Sequence, residues 1–163
     1  MNWDAIIAVS ELIGTLAVVI SLIYLAAQVR QSNLNSQEQT RQRMMELANS
    51  HLSLVINNSE ISEAFIESEI SKTDSIKLSA WLTALFRARE FEWFCYKNGT
   101  IDEDMFKTYS GVIPYILGTE RARKWWNIHS SINEFNPDFC TYVNEMMKDA
   151  PYMDQVFIDD QSL

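Results

Sequence analysis

Apolar positions fall along this chain in two different ways. From Ala5 to Gln28 they are nearly continuous (AIIAVSELIGTLAVVISLIYLAAQ), and Glu11 is the only charged residue among them. Beyond Gln28 they recur every three or four residues with polar positions between, the pattern of helices that bury one face. The first stretch, about 24 residues, reaches roughly 36 Å as a helix, enough for a hydrocarbon core of about 30 Å. Trp3 and Tyr24 stand near its two ends, where amphipathic rings suit a membrane–water interface. Residues 1–31 are therefore read as a transmembrane helix. A cleaved signal peptide needs a basic segment ahead of its apolar core, and Met-Asn-Trp-Asp supplies none. A core helix of a water-soluble protein needs a polar face, and between Leu12 and Ala27 only Gly14, Thr15, Ser21 and Tyr24 interrupt the apolar run.

The remaining periodicity predicts a helical domain over residues 32–150 and an acidic tail over 151–163. Gln31 to Arg43 is polar but holds no Gly or Pro, so the first helix is free to continue there. Met44, Met45, Leu47, Ala48, Leu52, Val55 and Ile56 then mark a second long helix from about Ser36 to Asn57. A short helix follows over 60–70. Thr73 or Asp74 caps the next, which carries a dense apolar set to Lys97 and stops at Asn98-Gly99. Thr100-Ile-Asp-Glu103 has capping-box spacing, and the helix it starts is expected to break near Pro114 and Gly118. Thr119 caps a helix containing Trp125 and Trp126, and Asn136-Pro137 places a cap and a first-turn proline before the last. The fold class is all-α: one transmembrane helix followed by a cytoplasmic helical bundle.

Sidedness follows from flanking charge. Asp4 precedes the apolar stretch and Arg30, Arg41 and Arg43 follow it, so the positive-inside rule puts the N-terminus outside and the larger part in the cytoplasm. Cys95 and Cys140, each beside aromatic residues, read as buried reduced thiols, which agrees with that side. The net charge of −9 argues against a nucleic-acid binder and a polybasic surface anchor.

Glu11 is the costliest residue in this arrangement, because an ionised carboxylate in hydrocarbon is unfavourable by several kcal/mol. At 100° per residue it shares a face with Ile7, Gly14, Val18 and Leu25, flanked by Ser10, Ser21 and Gln28. Ser10/Gly14 and Ala17/Ser21 are small residues four apart, a spacing that permits close helix approach. Three fates stay open for the carboxylate: headgroup water, a hydrogen bond inside an oligomer, or proton and ion handling. The two oligomeric fates imply self-association, with a pore or channel-like assembly around Glu11 as the functional expectation. The alternative is a membrane-tethered signalling or scaffold module that binds a protein or small ligand through its helical domain.

Two polar clusters lie elsewhere. Arg87 and Glu90, three apart in an apolar helix beside Arg89 and Glu92, read as a charged outer face or as a buried polar pocket. Arg121, Arg123, Lys124, Trp125 and Trp126 interleave basic and indole side chains, as a membrane-surface contact does, or else place the indoles in the core.

The segments ELIGTLAVVISLIYLAAQVRQSN, FEWFCYKNGTIDEDMF, RARKWW and FNPDFCTYVNEM resemble a family of bacterial single-span helical proteins from marine and environmental genomes. The resemblance covers most of the chain and implies an inner-membrane location, but the family brings no assigned activity. Catalytic signatures are missing as well. There is no Gly-rich phosphate loop, no G-x-S-x-G elbow and no HExxH; His51 and His129 are far apart, and nothing in the sequence activates a Cys–His dyad. The chain is read as no enzyme, with no cofactor and no metal, and with membrane lipid, further copies of itself and a cytoplasmic protein as its partners.

Overall fold

The computed structural model describes residues 3–67, 69–150 and Tyr152, and every regular element among them is a helix. The expected acidic tail lies, Tyr152 apart, outside the described residues. In order the helices are α1 (Trp3–Asn57), α2 (Ser59–Ile66), α3 (Lys72–Lys97), α4 (Glu103–Ser110), α5 (Val112–Ile116), α6 (Glu120–Ser131) and α7 (Pro137–Met147). The chain divides into two compact units, residues 1–40 and 41–163.

The first unit is helix alone, and its apolar side chains are exposed: Leu16 53%, Ile20 65%, Ile23 65%. Its hydroxyls are satisfied locally. Ser10 donates to the Ile6 carbonyl at 2.9 Å, Thr15 to Glu11 at 2.8 Å and Ser21 to Ala17 at 2.8 Å. A helix in hydrocarbon must meet its polar groups in this internal way. The separate helix expected from Ser36 does not exist; one helix runs unbroken to Asn57. Gln, Glu and Arg in the polar stretch are good helix formers, and with no Gly or Pro there is nothing to stop it. It ends where Asn57 and Asn58 turn their side-chain amides back onto the carbonyls of Ser53 and Leu54 at 2.8 Å.

The second unit has a core of the ordinary kind. Helical spacing sends Met44 fully inside and leaves its neighbour Met45 half exposed. On α3, Leu78, Trp81, Leu82, Leu85 and Phe86 are buried. Phe86 stacks obliquely on Trp126 (4.9 Å) and Trp125 (5.4 Å), and Trp126 meets Phe139 edge-on at 6.1 Å. Three of the buried indoles donate to an acceptor: Trp125 to Ser79 Oγ at 3.0 Å, Trp126 to Asn144 Oδ1 at 2.8 Å and Trp81 to the His51 carbonyl at 3.4 Å. Burying these large side chains is the main stabilising term of the unit.

Caps fall where short polar side chains allow them, with three shifts from expectation. Ser71, not Thr73 or Asp74, caps α3 by accepting from the Asp74 amide at 3.0 Å. Asp102, not Thr100, caps α4 by accepting from Met105 at 2.8 Å. The α4–α5 break falls at Gly111 rather than Pro114. Pro114 sits in the first turn of α5, where its missing N–H costs no hydrogen bond. Thr119 and Asn136 cap α6 and α7 as their spacing predicts. Gly99, at φ +71°, takes the left-handed conformation that ends α3.

Candidate functional site

On the first unit, Ser10, Glu11, Gly14, Val18, Ser21, Leu25 and Gln28 are all exposed. A methyl group added at Gly14 would meet nothing within 4 Å, so no contact inside the unit requires glycine there. Gln28 donates to the Tyr24 hydroxyl at 2.8 Å. Nothing among the described residues of the unit covers Glu11.

The basic–indole cluster is drawn apart by the second unit. Trp125 and Trp126 lie in the core, 8% and 2% exposed. Arg121 donates to the Ala64 carbonyl, tying α6 to α2. Arg123 donates to the carbonyls of Leu117 and Ala150, each at 2.8 Å, and its guanidinium lies 3.8 Å from the Tyr152 ring centroid. Lys124 makes an exposed pair with Glu120 at 2.7 Å. These two arginines fasten chain segments together, and only Lys124 of the five is mainly solvated.

The charges of α3 fall into two pairs of different depth. Arg87 reaches Glu90 at 2.9 Å, but its side chain is half exposed. Glu90 also accepts from the Asn136 amide at 2.5 Å, which braces α3 against the start of α7. Arg89 and Glu92, 2.8 Å apart, are the deep pair at 6% and 1% side-chain exposure. Arg89 also donates to the Tyr109 carbonyl at 2.8 Å. That leaves its Nε and both Glu92 oxygens without a properly aligned hydrogen bond among the described residues. Burial, only partly offset by Arg89, raises the Glu92 carboxyl to about 7. Burial likewise lowers Arg89 from its usual range, against the pull of Glu92.

His51 of α1 completes the group. It is 8% exposed, and its Nδ1 has no partner among the described residues. Burial, aided by the nearby Arg89 charge, lowers its pKa, so the ring is neutral at pH 7. His51 and Arg89 both line a cavity of about 420 Å³ in the second unit, whose walls include Leu52, Phe65, Trp81 and Tyr115. Mostly apolar walls with a few convergent polar groups are the usual build of a small-molecule site, for which about 300–1,000 Å³ is typical. Sequence spacing pointed to Arg87 and Glu90; it gave no reason to join His51 to Arg89, 38 positions later in the chain. The one available signal was a histidine within an apolar helical pattern, which is more often a satisfied core residue.

Other chemistry has little footing. Burial pushes both the Cys95 and Cys140 thiols up, away from the thiolate. His129 pairs with Glu134 and stacks on Trp125 at 4.5 Å, remote in role from either cysteine. No group of three or more His, Cys, Asp and Glu suited to a metal ion occurs among the described residues. Comparisons with protein-family models, curated proteins and solved structures gave no match.

Proposed function

We propose that this protein is a membrane-tethered helical module: the apolar part of α1 spans a bacterial inner membrane once, and the second unit binds a small ligand in the cytoplasm. One observation carries the tether. α1 is long and apolar enough to cross a membrane, and none of its most apolar 18-residue window is buried. A core helix of a water-soluble protein would be covered there, and a surface helix would be polar. The cavity at His51 and Arg89 supports the ligand-binding half of the reading. The arginines after the apolar stretch favour a cytoplasmic second unit, and the likeness to single-span bacterial proteins is in keeping with both. Carbonate extraction of membranes holding the full chain should leave it in the pellet, and protease added to spheroplasts should spare residues 41–150. Release into the carbonate supernatant would overturn the tether.

A second reading rests on Glu11, exposed beside small residues on the same helix. Copies packed through Gly14 would shelter the carboxylates from hydrocarbon, and a ring of them would line a pore or channel-like assembly. Cross-linking in mild detergent should then trap oligomers that Glu11→Gln alters. Monomers alone at every cross-linker concentration would remove this reading.

A further inference from the structure

The cavity in the second unit has a chemical sense as well as a size, and it rests on the ligand-binding reading above. Two polar side chains more than nine-tenths buried line it, and each keeps a nitrogen without a hydrogen-bond partner among the described residues: Nδ1 of His51 and Nε of Arg89. A native fold rarely leaves such atoms unmet, because each costs roughly 1–3 kcal/mol. They come from different helices, α1 and α3, so no local turn explains both. The Arg89 Nε–H is a donor fixed in a cation, and it needs an acceptor oxygen. The charge calls for the same partner. Glu92 is the carboxylate paired with Arg89 among the described residues, and burial favours the neutral form of Glu92, which leaves the guanidinium open to a second anionic partner. The other groups near this charge are the Tyr109 carbonyl and ring, which bring no full negative charge. Phe65, Trp81 and Tyr115 supply flat apolar wall. Leu52 lines the cavity while 60% exposed, which puts it at the rim.

From this geometry we infer that the cavity takes a small carboxylate with an apolar, ring-sized body, its anionic oxygens accepting from Arg89 and His51 and its body lying against the aromatic wall. The neutral His51 ring donates from one nitrogen, as the acceptor requires. An anion there also favours the protonated form of Glu92, because both compete for the same guanidinium.

The test uses the full chain in lipid nanodiscs and three probes of one skeleton: 2-naphthoate, 2-naphthylmethanol and 2-naphthylmethylamine. Heats are measured by titration with empty nanodiscs subtracted, so partition into lipid is removed. Naphthoate is expected to bind at least tenfold tighter than the alcohol, and the amine not to bind. Leu52→Trp, at the exposed rim, should weaken naphthoate tenfold or more while the melting temperature stays near that of the parent. Arg89→Lys, which keeps the charge and loses Nε–H, should weaken it as well. Equal binding of alcohol and carboxylate, or better binding of amine, would overturn the carboxylate assignment and leave the ligand cavity standing. No binding of any probe would overturn both. Unchanged naphthoate affinity in a folded Leu52→Trp chain would place the bound probe elsewhere and overturn the inference.

Discussion

The apolar segment of α1 and the helix α3 are both rich in large hydrophobic residues, yet they use them in opposite ways. In α1 the side chains from Ile6 to Val29 are exposed, and the one carboxylate among them has no companion charge among the described residues. In α3 most of the apolar side chains are buried, Ile76, Phe91 and Phe94 excepted, and four charged residues sit among them in two pairs. A helix clothed in apolar groups is stable only if its surroundings are apolar, whether lipid or other helices. Helix α3 finds its surroundings within the chain. The α1 segment finds none within its own unit, and that contrast is the physical basis for proposing that it lies in lipid. Charge follows the same logic. Arg89 is tolerated in the core because Glu92 and the Tyr109 carbonyl meet it, whereas Glu11 is exposed and pairs with no charged group among the described residues.

Three substitutions sharpen the contrast. The largest effect is expected from Phe86→Ala, which removes a fully buried ring packed against two indoles. It should destabilise the second unit by about 3–5 kcal/mol, read as a lower denaturation midpoint, with membrane association unchanged. Next is Leu16→Arg in the middle of the apolar stretch. It should leave the melting of the second unit alone and weaken insertion by about 3 kcal/mol, read as protein moving from pellet to supernatant. If Leu16→Arg instead unfolds the second unit, the two regions are not independent and the contrast fails.

The smallest effect is a change in pH dependence from Glu92→Gln. Glu92 has a folded pKa raised to about 7 from 4.5. Its contribution is therefore fully present below pH 4.5 and is lost as pH rises through 7. His51 has a lowered folded pKa, so its contribution is present above 6.5 and is lost as pH falls below that value. Just below pH 6.5, down to the lowered pKa of folded His51, the two slopes oppose each other and the parent profile is flattened. Glu92→Gln should uncover the His51 slope, with stability falling as pH drops from 6.5 toward the lowered pKa of folded His51. A variant profile that stays as flat as the parent would show that Glu92 does not titrate in this range.

Much of this was written in local sequence. The apolar run set the first helix, and the absence of Gly and Pro let it continue past the expected boundary at Ser36. Short polar residues fixed the ends of α6 and α7, where Thr119 and Asn136 each had an amide to accept from at a fixed offset. Ser71 and Asp102 were overlooked because two or three candidate caps stood within three residues, and sequence alone does not say which of them turns first. Periodicity marks the apolar positions of α3, of which Ile76, Phe91 and Phe94 are exposed, and it does not rank the charges among them. Arg87 and Arg89 look alike in the sequence, yet one is half exposed and the other is buried beside Glu92.

Residues in helical register determine by themselves which elements form and which face is apolar, because hydrogen bonds and side-chain spacing within a helix reach only three or four positions. The meeting of His51 with Arg89, the burial of Trp125 and Trp126, and the depth of Glu92 were decided by tertiary packing alone. They join positions on different helices, or depend on what those helices exclude from water, and no local rule carries that information.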